Sequence, residues 1–153
     1  MKIRYIYSAC VEIESKGLRI LCDPWFSESA FDGSWYHYPA IKDPLKIIKK
    51  PDIIYISHIH GDHYDPIFLK KLLKKYPKVK IIIPEFKFNY LYLKSKFDGI
   101  NVKPTSYLKR KGININIISN EEDKTDIDSA IIVNDGQFTT LGLVDCVYNK
   151  NFY

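Results

Sequence analysis

The residues Pro51, Asp52, Ile53, Ile54, Tyr55 and Ile56 form a short β-branched and aromatic run behind a proline, and they lead directly into Ser57-His58-Ile59-His60-Gly61-Asp62-His63-Tyr64-Asp65. An apolar run of this length without alternation reads as a strand buried on both faces of a layered sheet. That reading restricts the chain to α/β architectures and sets the polar cluster just past the strand's C-terminal end, where such sheets carry their sites. Three of the chain's four histidines lie in that cluster.

The spacing points to metal chemistry. Residues two apart in extended chain point the same way, so His58 and His60 can offer their imidazoles to one ion. The turn that Gly61 permits then swings Asp62 and His63 toward a second position. Imidazole and carboxylate together suit zinc, iron or manganese. The competing reading is a set of surface or hydrogen-bonded core histidines at a strand end.

Around this segment the pattern predicts one layered domain over residues 1–153. Residues 2–7, 10–14 and 18–22 read as successive strands, with Lys16-Gly17 as a hairpin turn. From Asp23 to Pro44 the chain is rich in Trp, Tyr, Pro and Gly without periodicity and reads as a long loop of the functional kind. A strand at 52–57, a helix at 66–76 and a strand at 79–84 make a β-loop-α-β crossover whose loop holds the histidines. Asp65 caps that helix and Pro66 opens it; Leu69, Leu72, Leu73 and Tyr76 form its buried face, and lysines form the solvated one. A second helix is predicted at 86–97, with strands near 100–103, 113–118, 129–134 and 138–144. The polar run 120–126 is the other notable loop.

The order His-x-His-x-Asp-His after a hydrophobic strand resembles the metal-binding motif of the metallo-β-lactamase superfamily. Ile20-Leu21-Cys22-Asp23-Pro24-Trp25-Phe26, followed by Ala30-Phe31-Asp32-Gly33-Ser34-Trp35, resembles the branch that includes the catalytic domain of CMP-N-acetylneuraminate hydroxylase, with ascorbate-phosphate lactonase-like and phospholipase-D-type metallohydrolases as relatives. Asp128-Ser129-Ala130-Ile131-Ile132-Val133 and Leu141-Gly142-Leu143-Val144-Asp145-Cys146 resemble the later strand pair of the same branch. The resemblance implies an α/β fold of the αββα sandwich type, of which this chain supplies the first half and a little more, looking truncated at its C-terminal end.

The resemblance also implies roles. His58, His60, Asp62 and His63 would be metal ligands and Asp145 the carboxylate bridging two ions, with Asp62 also the catalytic group that orients or deprotonates an attacking water if one ion alone is bound. No histidine follows His63, whereas relatives use later histidines to complete both metal positions. Asp128 falls in the region of the first of these, and a carboxylate can serve there; for the second no replacement is evident. One or two divalent ions are expected, zinc foremost, with iron or manganese as alternatives. Asp23 has two readings, an anchor for the far nitrogen of a metal-bound histidine or a local turn residue beside Pro24. Trp25, Trp35 and His37 either line a substrate mouth or pack the long loop onto its own domain.

The implied activity is hydrolysis of a phosphoester, ester or lactone in a small anionic, sugar-like or nucleotide-sugar-like substrate. The alternative is a truncated or degenerate member serving as a non-catalytic metal-binding or assembly module. A hydrophobic fraction of 46% suffices for a core, and no apolar run approaches the roughly 20 residues of a membrane span. The first residues lack the apolar stretch and cleavage site of a signal peptide, so a cytoplasmic location is expected. Cys10, Cys22 and Cys146 are odd in number and lack CxxC spacing, as expected of three buried thiols in a reducing compartment. The net charge of +5 favours anionic substrates, although solvated helix lysines account for much of it. No nucleic-acid motif is present, and neither nucleic acid nor membrane is expected as a partner. A homodimer or a partner chain that completes the domain is expected, because strands 129–134 and 138–144 would otherwise leave an apolar face uncovered.

Overall fold

Residues 1–27, 29–119 and 128–146 are described by the computed structural model. Strands β1 (Lys2–Tyr7), β2 (Cys10–Ser15) and β3 (Leu18–Cys22) form an antiparallel meander. Its second turn is made by Lys16 and Gly17, both at positive φ (46° and 69°), the geometry that a two-residue hairpin matched to strand twist requires. After β3 the chain makes a small ribbon, β4 (Ser29–Ala30) and β5 (Trp35–Tyr36), and one helical turn, α1 (Pro44–Ile47). The stretch from Asp23 to Pro44 is therefore partly ordered into secondary structure rather than a plain loop.

Strand β6 (Ile53–Tyr55) joins β3 in parallel. Helix α2 (Pro66–Lys75) then crosses to β7 (Lys80–Ile83), and helix α3 (Tyr90–Phe97) crosses to β8 (Val102–Pro104). These strands complete a six-stranded mixed sheet in the order β1-β2-β3-β6-β7-β8. A second, antiparallel sheet follows, β9 (Tyr107–Arg110), β10 (Ile113–Ser119), β11 (Ser129–Asn134) and β12 (Thr139–Gly142), ordered β12-β11-β10-β9.

The apolar run at β6 is explained by its two faces. Ile53 and Tyr55 pack toward the second sheet, among Ile20, Ile82, Ile115, Ile117, Ile131 and Val133. Ile54 and Ile56 pack on the other side, against Phe68, Leu69, Leu72 and Leu91 of the helices. All four are wholly buried, and truncating any one to Ala would cost about 2–5 kcal/mol. Strand β10 faces a core on one side only, so Ile113, Ile115 and Ile117 alternate with Asn114 and Asn116. The described residues thus build a helical layer, a mixed sheet and an antiparallel sheet, an α/β sandwich; among them no helix covers the far side of the second sheet.

The sequence reading needs several adjustments. Helix α3 starts at Tyr90, where Asn89 accepts a cap bond from the Tyr92 amide, rather than at 86. Strand β8 begins two residues later than expected, and β12 ends at Gly142. Strand β9 was not anticipated. The buried face of α2 is Phe68, Leu69 and Leu72, with Leu73 and Tyr76 only partly covered. Asp65 does cap α2, accepting from the Phe68 amide at 2.9 Å. The polar run 120–126 lies outside the described residues. No helix among those described is long and apolar enough to cross a membrane.

Candidate metal centre

The parallel strand β6 ends at Tyr55, and the chain that follows it turns back over the sheet edge through a helical turn in which the amides of His63 and Tyr64 bond to the His60 carbonyl. This turn converts alternation along the chain into convergence of side chains. His58 is fully buried, and His63, Asp62 and Asp65 are nearly so.

Asp23, at the end of β3, organises the buried side. Its carboxylate accepts from the Ser57 amide at 2.7 Å, from the Ser57 hydroxyl at 2.8 Å and from His63 Nδ1 at 3.2 Å. The Ser57 hydroxyl gives its one proton to Asp23, so its 2.9 Å contact with His58 Nδ1 must be a bond donated by the imidazole. His58 and His63 thereby both use Nδ1–H as a donor on this side, and each turns its Nε2 away from Asp23. Asp23 takes a positive φ of 42° to reach this position, a conformation that costs a non-glycine residue about 1–2 kcal/mol.

The freed nitrogens meet a set of carboxylates. His58 Nε2 lies 2.9 Å from His60 Nδ1, 3.7 Å from Asp128 Oδ1 and 3.6 Å from Asp145 Oδ2. His63 Nε2 lies 3.3 Å from Asp62 Oδ2 and 3.5 Å from the same Asp145 oxygen. Asp145 Oδ2 thus stands between the two histidines, and ligand atoms of His58, His60 and Asp145 fall within 4.8 Å of one another. Val144, directly before it, is β-branched at a φ of 53°, strain that marks a tightly determined position. The Asp145 side chain is half exposed, so the cluster opens to solvent on that side.

The residues fit a divalent cation. Two imidazole nitrogens at 2.9 Å repel unless a proton or a cation lies between their lone pairs. Asp62 Oδ1 is buried, and no hydrogen-bond donor reaches it among the described residues, a costly arrangement for a carboxylate left to itself. Burial, with the neighbouring His63, pulls the pKa of His58 down to about 4, so its ring is neutral as a ligand must be. Burial acts the same way on His63, yet the Asp23 hydrogen bond and the charges of Asp23, Asp62 and Asp145 outweigh it and raise its pKa.

The structure therefore brings together His58, His60, Asp62, His63, Asp128, Asp145 and Asp23, and the bonds of the Asp23 carboxylate run to Ser57 and His63, not to its own turn. It separates Trp25 and His37 from this group. Trp25 is 3% exposed and its ring lies 4.0 Å from that of His37, whose Nε2 donates to the Trp25 carbonyl at 3.1 Å. Burial lowers the pKa of His37. Trp35 lies beside the cluster only indirectly, packed on Phe31, whose ring in turn stands edge-on to His60 at 5.9 Å. Two residues escaped the sequence reading. Ser57 fixes the His58 tautomer, and Ser129 donates to the Ser57 carbonyl at 2.7 Å from the second sheet. Small polar residues at the ends of otherwise apolar strands were the available signal for both.

This arrangement has relatives. A family model described as a beta-lactamase superfamily domain matches residues 2–139. The chain belongs to the metallo-β-lactamase superfamily. Within the superfamily it is similar to the cytidine monophosphate-N-acetylneuraminic acid hydroxylases of Danio rerio, at 28% identity over 97% of this chain and 26% of that protein, and of Xenopus laevis, at 31% over 95% and 26%. The chain spans about a quarter of the length of these relatives, 26% in both cases. Among solved structures the fold is shared with the isothiocyanate hydrolase from Delia radicum gut bacteria, with a TM-score of 0.66, 20% identity, and coverage of 99% of this chain and 65% of that one. It is also shared with CmlA, a diiron β-hydroxylase from Streptomyces venezuelae, with a TM-score of 0.61, 18% identity, and coverage of 94% and 29%. A hydrolase and a hydroxylase thus share the fold of this chain.

Proposed function

We propose that this chain is a metal-dependent hydrolase acting on a phosphoester, ester or lactone of a small anionic, sugar-like substrate. The observation that carries this reading is the position of Asp145 Oδ2, 3.6 Å from His58 Nε2 and 3.5 Å from His63 Nε2. A carboxylate so placed fits a bridge between two cation positions, one beside His58, His60 and Asp128, the other beside Asp62 and His63. A divalent ion held there would act as a Lewis acid and lower the pKa of water toward neutrality. Asp23 and Ser57 keep the two imidazoles oriented, and Asp62, were a single ion held beside His58 and His60, would orient or deprotonate the water that attacks the phosphoryl or carbonyl centre. Zinc is the ion we expect, with iron or manganese suited by the same ligands. Three buried cysteines, none in CxxC spacing, support a reducing, cytoplasmic setting.

A second reading, a metal-binding or assembly module without catalysis, is favoured by the donor set beside His63. Among the described residues only Asp62 and Asp145 join it there, while His58 has His60, Asp128 and Asp145. Elemental analysis of protein purified without chelators separates the readings, alongside a His58→Ala/His60→Ala double variant. Metal bound by the wild type and lost in the variant, with turnover of a phosphodiester, lactone or nucleotide sugar, supports the hydrolase. Bound metal without turnover supports the module, and absence of metal from the wild type overturns both.

A further inference from the structure

Helix α3 is amphipathic in the wrong sense for a helix whose outer side meets only water. Leu91 and Ser95 form its buried side, against the mixed sheet. Tyr90, Leu93 and Phe97, spaced three and four apart, form the opposite side and are 61%, 60% and 87% exposed. Phe88, just ahead of the helix, is 70% exposed and extends the stripe toward Ile59 of the histidine loop, with which it shares a shallow depression. Lys94 and Lys96 flank the stripe.

Helix α2 packs on the same face of the same sheet, so its solvent side points the same way. There Ile67 is 60% exposed among Lys70, Lys71 and Lys74. Neither helix contains an acidic residue: PIFLKKLLKK and YLYLKSKF. Asp98, at the end of α3, is paired with Lys94 at 2.6 Å, and the remaining helix lysines have no acidic partner within their own helices. The outward face of the helical layer therefore combines large apolar side chains with uncompensated positive charge.

We propose that this face docks on an anionic lipid bilayer surface, a departure from the expectation of no membrane partner. Aliphatic and phenyl groups that stand out of a cationic helix surface enter the headgroup–acyl boundary while lysines meet the lipid phosphates. A nucleic acid would match the lysines but leave Leu93 and Ile67 without a role. A second copy of the chain would match the apolar stripe but oppose lysine to lysine. The proposal does not depend on the metal centre.

Sedimentation of the full chain with vesicles of three parts phosphatidylcholine to one part phosphatidylserine tests it. Binding is expected to these vesicles and not to phosphatidylcholine alone, and to weaken with added salt as the charges are screened. Leu93→Ser/Phe97→Ser is expected to lower the partition coefficient by about tenfold or more, and Lys70→Glu/Lys74→Glu to lower it comparably. In a Phe97→Trp variant, the introduced indole is expected to shift its emission to shorter wavelength and resist aqueous quenchers when vesicles are added. The proposal is overturned if the wild type does not bind the mixed vesicles, or if binding persists unchanged in Leu93→Ser/Phe97→Ser. It is equally overturned if that variant instead abolishes a dimer of the free chain while vesicle binding is absent, which would assign the face to a second copy.

Discussion

Asp23 Oδ2 accepts the Nδ1 proton of His63 at 3.2 Å, while the same carboxylate holds Ser57 and through it His58. One residue at the end of β3 thus sets the tautomer of two histidines on the loop after β6. Removing its charge frees both rings to rotate and to move their proton from Nδ1 to Nε2. Asp23→Asn should weaken metal affinity by about 10- to 100-fold, measured by competition with a chromogenic chelator. Ser57→Ala should show a smaller loss confined to the His58 side. An unchanged affinity in Asp23→Asn would remove Asp23 from the centre.

Metal should also stabilise the fold, because the ligands proposed for it come from the loop after β6 and from the two segments that flank the second sheet, at Asp128 and Asp145. An ion that binds only the folded chain adds about 2.7 kcal/mol at a free concentration of one hundred times its dissociation constant. Dialysis against a chelator should lower the melting temperature, and restoring zinc, iron or manganese should return it. His58→Ala/His60→Ala should show no such response. A melting temperature indifferent to metal in the wild type would contradict the ligand set.

What the sequence discloses about this molecule is largely what is local. The Asp65 cap and the Lys16-Gly17 turn are each specified within a few residues, and the structure has them as read; it also gathers the four motif residues from His58 to His63 at one strand end. Strand β9 was legible by the same signal, since Lys111-Gly112 repeats the turn chemistry of Lys16-Gly17 with φ of 50° and 71°; its alternation of Tyr107, Leu108, Lys109 and Arg110 is simply too short and polar to stand out. The meeting of Asp145 with His58 and His63 depends on how two sheets stack, which no local pattern encodes, and only resemblance suggested it. The outward apolar stripe of α3 was hidden for a different reason. Its pattern, YLYLKSKF, is apolar on two sides, and only the packed helix shows which side is buried.

The two sheets are also joined through polar atoms. Ser129 Oγ donates to the Ser57 carbonyl at 2.7 Å, so the Tyr55 hydroxyl shares its one proton between that Oγ, at 2.7 Å, and the Ser129 carbonyl, at 3.2 Å. Tyr55→Phe removes one buried bond and leaves Ser129 with another, and should cost about 1 kcal/mol. Ser129→Ala strands the Ser57 carbonyl in the core and leaves the Tyr55 hydroxyl only the backbone carbonyl of residue 129, and should cost about 2–3 kcal/mol. Urea denaturation of the two variants measures the order. Equal losses would mean that the chain of bonds does not act as drawn.

Asp135 closes the turn between β11 and β12 and ties it to the meander. Its carboxylate accepts from the Ser15 hydroxyl at 2.6 Å and from the amides of Phe138 and Gln137 at 2.7 and 2.9 Å, with the N-terminal ammonium 3.6 Å away. The Ser15 bond first, then the two amides, hold its pKa well below the usual carboxylate range. A carboxyl whose folded pKa is depressed adds stability at every pH above its unfolded value, near about 4, and loses that contribution as pH falls from there through the folded value. Asp135→Asn should therefore destabilise the chain most at neutral pH, and the gap to wild type should narrow steadily below about pH 4. Paired urea titrations across that range check it, and a gap that stays constant or widens in acid would show that the carboxylate's charge is not what holds the turn.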